Sequence, residues 1–256
     1  MLFRLLATGL IAGAAAGVIA TLFHFVLVEP LIFAAEQYED RAPQAAAAPR
    51  APAQTGQDTG APVHIHRDGQ AHTHDAWQPA DGLQRSGLTL VANIITGIAF
   101  GLLLAMAFTL YGNPVTLFQG LVWGAAGFLC FAFLPALGLP PEVPGAAAGN
   151  LLDRQIWWLA TAFVSAAGLA ALVFIVGWPY RGAGVLLLFA PHIVGAPRPD
   201  PGSVGSAPPE LAAHFAVNSL FAAAVMWLAL GVAAAYVMQR IAARQDTGIG
   251  ADNAIS

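Results

Sequence analysis

The chain has 256 residues, of which 57% are hydrophobic and 9% are charged. Soluble domains carry about a quarter charged residues, so this composition excludes an ordinary soluble protein and predicts an all-α polytopic integral membrane protein in the lipid bilayer. The net charge of −4, with ten arginines and no lysine, forms no basic stripe and argues against nucleic acid as a partner.

Apolar runs of about 20 residues are needed to cross a bilayer. Five runs meet this length, at about 5–28, 88–111, 117–138, 155–178 and 211–238. The first is longer than the apolar part of a signal peptide and is read as a retained span. A sixth segment, 182–197, contains Pro191 and would reach only about 22 Å as a straight helix.

Arginine placement helps to count the crossings. Arg4 precedes the first run, and Arg240 and Arg244 follow the last. Arginine favours the cytoplasmic side, so both ends are expected there and the number of crossings is even. The sequence therefore predicts about six transmembrane helices, with 182–197 crossing as a broken helix. It predicts five if that segment does not cross.

These runs divide the chain into four parts. Residues 1–33 hold the first transmembrane helix, and 34–86 form an external, His-rich flexible loop. Residues 87–240 form the membrane helical bundle, and 241–256 are predicted to be a disordered C-terminal tail. The loop is rich in Ala, Pro, Gln and Gly, which is typical of a tether and not of a packed domain.

Four of the seven histidines lie in "HIHRDGQAHTH", residues 64–74. In extended backbone the two imidazoles of each HxH pair share a face, so the pairs could wrap one divalent metal ion. The predicted ligands are His64, His66, His72, His74 and Asp75. The spacing does not choose the metal, and the alternative is a solvated low-complexity tract with incidental histidines.

Ionisable residues near the spans are further candidates, because burying them is costly. A group at the external interface consists of His24, Glu29, Glu210 and His214, for which interfacial solvation is the alternative reading. His192 follows Pro191 in the short segment and is predicted to lie near the bilayer centre, on an ion path or as a packing residue. The motifs GxSxG, HExxH and GxxxxGK[ST] are missing, so the chain is not expected to be an enzyme.

Several blocks carry a resemblance to a known family. They are "LLATGLIAGAAAGVIATLFHFVLVEPLIFAAEQYE", "HTHDAWQPADGLQRSGLTLVANIITGIAFGLLLAMAF", "PALGLPPEVPGAAAGNLLDRQIWWLATA" and "APHIVGAPRP". Together they resemble CbtA, a proposed bacterial cobalt transporter subunit, over about residues 3–238. The loop here is longer than the family pattern, so the correspondence is weaker at His64 and His66. The positions that match the family blocks are Glu29, His72, His74, Asp75, Glu142, Asp153 and His192.

The resemblance implies an inner-membrane protein that takes up Co²⁺ for cobalamin biosynthesis, with the histidine loop in the periplasm. It also implies a small, one-span, histidine-bearing CbtB-like partner. No tightly bound cofactor is expected, and Co²⁺ or Ni²⁺ would be the ion that is bound or moved. Two alternatives stay open: a membrane-anchored metal-binding or sensing component that transports nothing, and an efflux permease for divalent nickel or cobalt.

Overall fold

The computed structural model describes residues 1–47, 79–80 and 82–253, and these are helical with short connections. The helices are α1 (Leu2–Phe23), π1 (His24–Val28), α2 (Glu29–Ala47), α3 (Leu83–Tyr111), α4 (Leu117–Phe128), π2 (Leu129–Phe133), α5 (Leu134–Ala136), α6 (Leu151–Phe174), α7 (Trp178–Val194) and α8 (Pro209–Asn253). The metal ligands predicted at residues 64–75 lie outside the described residues.

Five helices of the described chain are long and apolar enough to cross a membrane, which confirms the predicted fold class. They are Leu2–Glu39, Leu83–Tyr111, Leu117–Ala136, Leu151–Phe174 and Pro209–Arg244. The sixth predicted segment forms α7, whose 17 residues fall short of that length.

Glycines hold two antiparallel helix pairs together. A Cβ added to Gly13 of α1 would lie 2.5 Å from the carbonyl oxygen of Gly97 in α3. Likewise, a Cβ on Gly120 of α4 would lie 2.5 Å from the carbonyl oxygen of Gly231 in α8. Such close approach is typical of membrane helices. Lipid provides no hydrophobic force between helices, so small residues that let the backbones pack closely stabilise the contact instead.

An aromatic and alanine core joins these pairs into a four-helix unit. Trp227 of α8 is 2% exposed and stacks on Phe131 of π2 with ring centroids 5.5 Å apart. Phe100 of α3 lies 4.6 Å from the same indole. Fully buried alanines of α1 and α8 complete this core, so the centre of the unit is densely packed.

The chain passes along the bundle six times. Arg4, the turn after α3 and Gln239 line one cavity, so the start of α1 and the late part of α8 share one end. We call this the arginine end, because Arg181 in the first turn of α7 and Arg240 and Arg244 in the late part of α8 lie there together with Arg4. At the opposite end, Ser206 Oγ lies 3.4 Å from the carbonyl oxygen of Gly145.

α7 makes the sixth pass with help from extended backbone. α6 and α7 form an antiparallel hairpin in which Gly168 packs on Gly184. Beyond Val194 the chain continues without helix to Arg198, whose carbonyl lies beside Gly149, just before α6 begins. The chain thus returns to the level at which α6 begins, although α7 itself is shorter than the five candidate spans of the described residues.

Each π segment ends two residues before a proline, at Pro30 and Pro135. Proline has no N–H and clashes with the carbonyl four residues back, so an α-helix cannot continue unchanged. In π1 the Glu29 N–H instead bonds to the His24 carbonyl, five residues back. The side-chain amide of Asn218 in α8 donates to the Leu27 carbonyl at 3.2 Å.

Three predicted boundaries differ from the structure. The helix that was expected to leave the membrane near residue 33 continues to Ala47, because the π turn accommodates Pro30 without ending it. α3 begins at Leu83, inside the predicted loop. α8 continues to Asn253, beyond residue 241 where the tail was predicted to begin, as expected when an existing helix propagates without a new nucleus.

Candidate functional site

The two anchors of the histidine segment lie at one end of the bundle, which we call the loop end. α2 leads into the segment and α3 follows it. Arg85 of α3 pairs with Glu36 of α2, with Nη1 3.1 Å from Oε2 and a second contact between Nη2 and Oε1. The guanidinium also lies 4.7 Å from the ring centroid of Phe33. This bidentate ion pair joins the segment's two anchors.

The predicted interface group is spread over this end and does not form a cluster. Glu29 is half-buried at the start of α2, whereas Glu210 and His214 are exposed in the first turns of α8. No hydrogen bond or ion pair joins Glu210 to His214 in the part of the chain that the structure describes. Within that part, no three His, Cys, Asp or Glu side chains are placed to hold one metal ion.

His24, at the start of π1, ties α1 to α3. The Thr21 hydroxyl donates to the Gly17 carbonyl at 2.8 Å, so its oxygen accepts from the Asn93 amide at 3.1 Å. The same amide nitrogen lies 3.1 Å from His24 Nδ1, which must therefore accept. A neutral His24 then has its proton on Nε2 and no free lone pair, so it cannot ligate a metal without rearrangement.

His192 lies in the last turn of α7, against Trp157 of α6. The two ring centroids are 6.0 Å apart in an edge arrangement. His192 Nε2 and Trp157 Nε1 are both buried without a hydrogen-bond partner. Because α7 begins at Trp178, His192 is about 21 Å along the helix. It therefore lies in the part of α7 that is nearer the loop end, and its depth in the bilayer stays a prediction.

The buried face of α6 carries a row of polar atoms without partners, and sequence reasoning missed it. Thr161 and Ser165 follow Trp157 at intervals of four residues, and both are 0% exposed. Neither hydroxyl has a hydrogen-bond partner. The row lies between the Trp157–His192 contact and the Gly168–Gly184 contact, opposite the part of α7 that contains Pro191. The sequence signal that could have revealed this row is the spacing of four residues, which places Trp157, Thr161 and Ser165 on one face of a helix.

A cleft of about 650 Å³ opens between α6 and α8 near the loop end, above the floor formed by π2 and α5. Arg154 Nη2 pairs with Glu142 Oε2 at its rim, and both side chains are largely buried. Ser219 of α8 lines the cleft with a buried hydroxyl that lacks a partner. Asp153 is exposed in the first turn of α6 and does not line the cleft. Its negative charge is favourable there because it lies at the positive end of the helix dipole.

The described residues of the loop end offer carboxylates and polar atoms but no preformed ligand set for a metal ion. Glu142 and Glu36 are neutralised by arginine, while Glu29, Glu39 and Glu210 have no ion pair among the described residues. Unpaired carboxylates attract divalent cations over a distance of about a Debye length. The arrangement is suited to attracting and passing cations, and less to holding one tightly.

Comparison with known proteins gives one match. The family model described as "Probable cobalt transporter subunit (CbtA)" matches residues 2–239. No curated protein and no solved structure matches the chain.

Proposed function

Because the chain belongs to the CbtA family of probable cobalt transporter subunits, we propose that it is the membrane subunit through which Co²⁺ enters the bacterial cell for cobalamin biosynthesis. The arginine end faces the cytoplasm and the loop end faces the periplasm. In this orientation the histidine segment captures the ion and the helical bundle passes it inward.

The distribution of charge along the bundle is the observation that carries this proposal. Arg4, Arg181, Arg240 and Arg244 mark one end, as expected for a cytoplasmic side. The opposite end also carries Arg41, Arg85, Arg154 and Arg198, but acidic residues outnumber them there, so the described part of that end is net negative. The acidic residues are Glu29, Glu36, Glu39, Glu142, Asp153, Asp200 and Glu210. A cation that approaches from the loop end meets negative charge first, which favours its accumulation there.

Capture is assigned to His64, His66, His72, His74 and Asp75. The loop end supports this assignment because the two helices that flank the segment, α2 and α3, are paired there through Glu36 and Arg85, and the carboxylates of Glu29 and Glu210 lie at the same end. His214 lies one turn beyond Glu210 and would meet the ion at the same surface. Co²⁺ accepts imidazole and carboxylate ligands, and exchange between scattered ligands keeps the ion mobile.

Passage is assigned to the α6–α7 hairpin. The centre of the four-helix unit around Trp227 is packed with aromatic rings and alanines, and the buried hydroxyls of α1, Thr8 and Thr21, lie 13 residues apart. The hairpin, in contrast, buries His192 and the two hydroxyls of Thr161 and Ser165 without partners. Each such group costs about 1–3 kcal/mol when left unsatisfied, so the closed interface is poised to accept water or a hydrated ion when α7 moves.

The word "subunit" in the family description implies a partner. We propose that this partner is a small one-span CbtB-like protein bearing histidines, which receives or delivers the ion at the loop end.

The test is uptake of radioactive Co²⁺ and Ni²⁺ by cells that express the chain with and without the CbtB-like partner. The loop variant replaces His64, His66, His72 and His74 with Ala, and its matched control replaces Gln54, Thr55, Gln57 and Thr59 in the same segment. His192→Ala is compared with Phe189→Ala, which shortens an exposed side chain of the same helix.

We expect the loop variant to need more metal for the same uptake, and His192→Ala to accumulate none. Both controls should behave as the wild type. Accumulation equal to that of empty-vector cells under all conditions would contradict uptake. Lower cobalt in expressing cells would favour efflux. A full phenotype with His192→Ala would favour a metal-binding component that transports nothing.

A further inference from the structure

A second cavity lies at the arginine end, away from the residues assigned to cobalt. It has a volume of about 740 Å³ and lies between the start of α1, the turn after α3 and the late part of α8. Among the described residues that line it, none is acidic. The cavity therefore combines a defined volume with a local excess of positive charge.

Arg4 supplies that charge. Its side chain is half-buried against the cavity, and it has no hydrogen bond or ion pair with any residue that the structure describes. A guanidinium carries five N–H donors, and burying a charge without a partner is costly. An arginine placed in this way calls for an anion, and no described residue supplies one.

Two neutral amides add donors beside it. Asn113 uses one N–H on the Tyr111 carbonyl at 3.3 Å, and Gln239 uses one on the Val115 carbonyl at 2.7 Å. Each amide keeps a second N–H. Several donors around one cation are the arrangement that a phosphate group prefers, because its oxygens accept but do not donate.

The remaining lining is apolar and includes Phe108, Val115 and Met238. A free phosphate ion gains nothing from such surface, whereas the glycerol and upper acyl carbons of a phospholipid bury apolar area there. Arg240 and Arg244 follow on α8 and raise the positive potential of this end. Clustered arginines beside membrane helices attract anionic lipids.

We propose that this cavity is a binding site for the phosphate of an anionic phospholipid, with Arg4 as its principal contact and Asn113 and Gln239 as supporting donors. The site fixes the start of α1 to α8 through the lipid headgroup.

The test uses the purified full-length protein in mild detergent, titrated with short-chain phosphatidylglycerol, short-chain phosphatidylcholine or inorganic phosphate. Binding is read by native mass spectrometry and by the thermal midpoint. The variants are Arg4→Gln and Arg4→Lys, and the matched control is Arg181→Gln, an exposed arginine at the same end but outside the cavity. Circular dichroism checks that each variant is folded.

We expect wild type and Arg181→Gln to bind phosphatidylglycerol equally, Arg4→Gln at least tenfold more weakly, and Arg4→Lys in between. Phosphatidylcholine should bind weakly. Equal binding by wild type and Arg4→Gln, or an equal loss in Arg181→Gln, would overturn the site, since attraction would then be a general surface effect. Inorganic phosphate that binds as tightly as phosphatidylglycerol would overturn the lipid assignment.

Discussion

The close contact between α1 and α3 predicts that replacing two glycines of α3 with alanine has opposite effects on the stability of the protein. A Cβ added to Gly97 would lie 2.3 Å from the Gly13 carbonyl oxygen, about 1 Å short of normal contact. The neighbour is backbone, so the two helices must separate. Overpacking of this kind costs about 1–3 kcal/mol. Gly87, in the same helix, has nothing within 4 Å of its added Cβ.

Gly87→Ala should therefore follow helix propensity and stabilise the chain by up to about 1 kcal/mol. The two variants are expected to differ by about 1–4 kcal/mol in free energy of unfolding, or about 2–16 °C in Tm. Both changes add the same methyl group to α3, so composition and expression are matched.

The assay uses the single cysteine of the chain. Cys130 is 5% exposed in π2, so a thiol-reactive dye labels it only when the bundle opens. The temperature at which labelling accelerates reports unfolding in detergent. A Gly97→Ala midpoint equal to or above that of Gly87→Ala would show that the α1–α3 approach is not as close as described, and would refute the reasoning.

Three further outcomes are expected. Thr161→Val and Ser165→Ala remove hydroxyls without partners, so the Tm should stay the same or rise while Co²⁺ uptake falls several-fold; a lower Tm would mean that these hydroxyls are satisfied. Asn218→Leu removes the bond to the Leu27 carbonyl and should cost about 1 kcal/mol in the Cys130 labelling assay, and an unchanged midpoint would contradict the role of that bond. Imidazole binds metal only when neutral, and its pKa is ordinarily about 6.5, so Co²⁺ affinity measured by calorimetry should be at least about tenfold weaker at pH 5.5 than at pH 7.5. Equal affinities would exclude histidine as the ligand.

The apolar runs predicted the crossing helices because span length is set by bilayer thickness, which a sequence shows directly. The arginines predicted that both ends share a side, and the start of α1 and the late part of α8 do line one cavity. The bounds of α2 were not predictable in the same way. Whether Pro30 ends a helix or widens one turn depends on whether its neighbours accept the wider turn, and here Asn218, nearly 190 residues away, supplies a donor.

The candidate site, too, was predictable only in part from the sequence. Residue type alone pointed to His192, and the structure places it against Trp157 with an unpartnered nitrogen. His24 was chosen for the same reason, but its lone pair is engaged by Asn93. Only the three-dimensional arrangement distinguishes a histidine that completes a hydrogen-bond network from one that lacks a partner. The Glu36–Arg85 ion pair could not be predicted from the sequence, because its two residues are 49 positions apart and only the fold brings them together.

π1 also sets the angular phase of everything that follows it on α2. One residue of an α-helix corresponds to a rotation of about 100°, and the wider turn before Pro30 in effect absorbs one extra residue. If α-helical bonding were restored there, Glu36 would swing by about 100° around the axis and leave Arg85. The angular position of Glu36 on α2, and with it the ion pair that joins α2 to α3, thus depends on the proline at position 30.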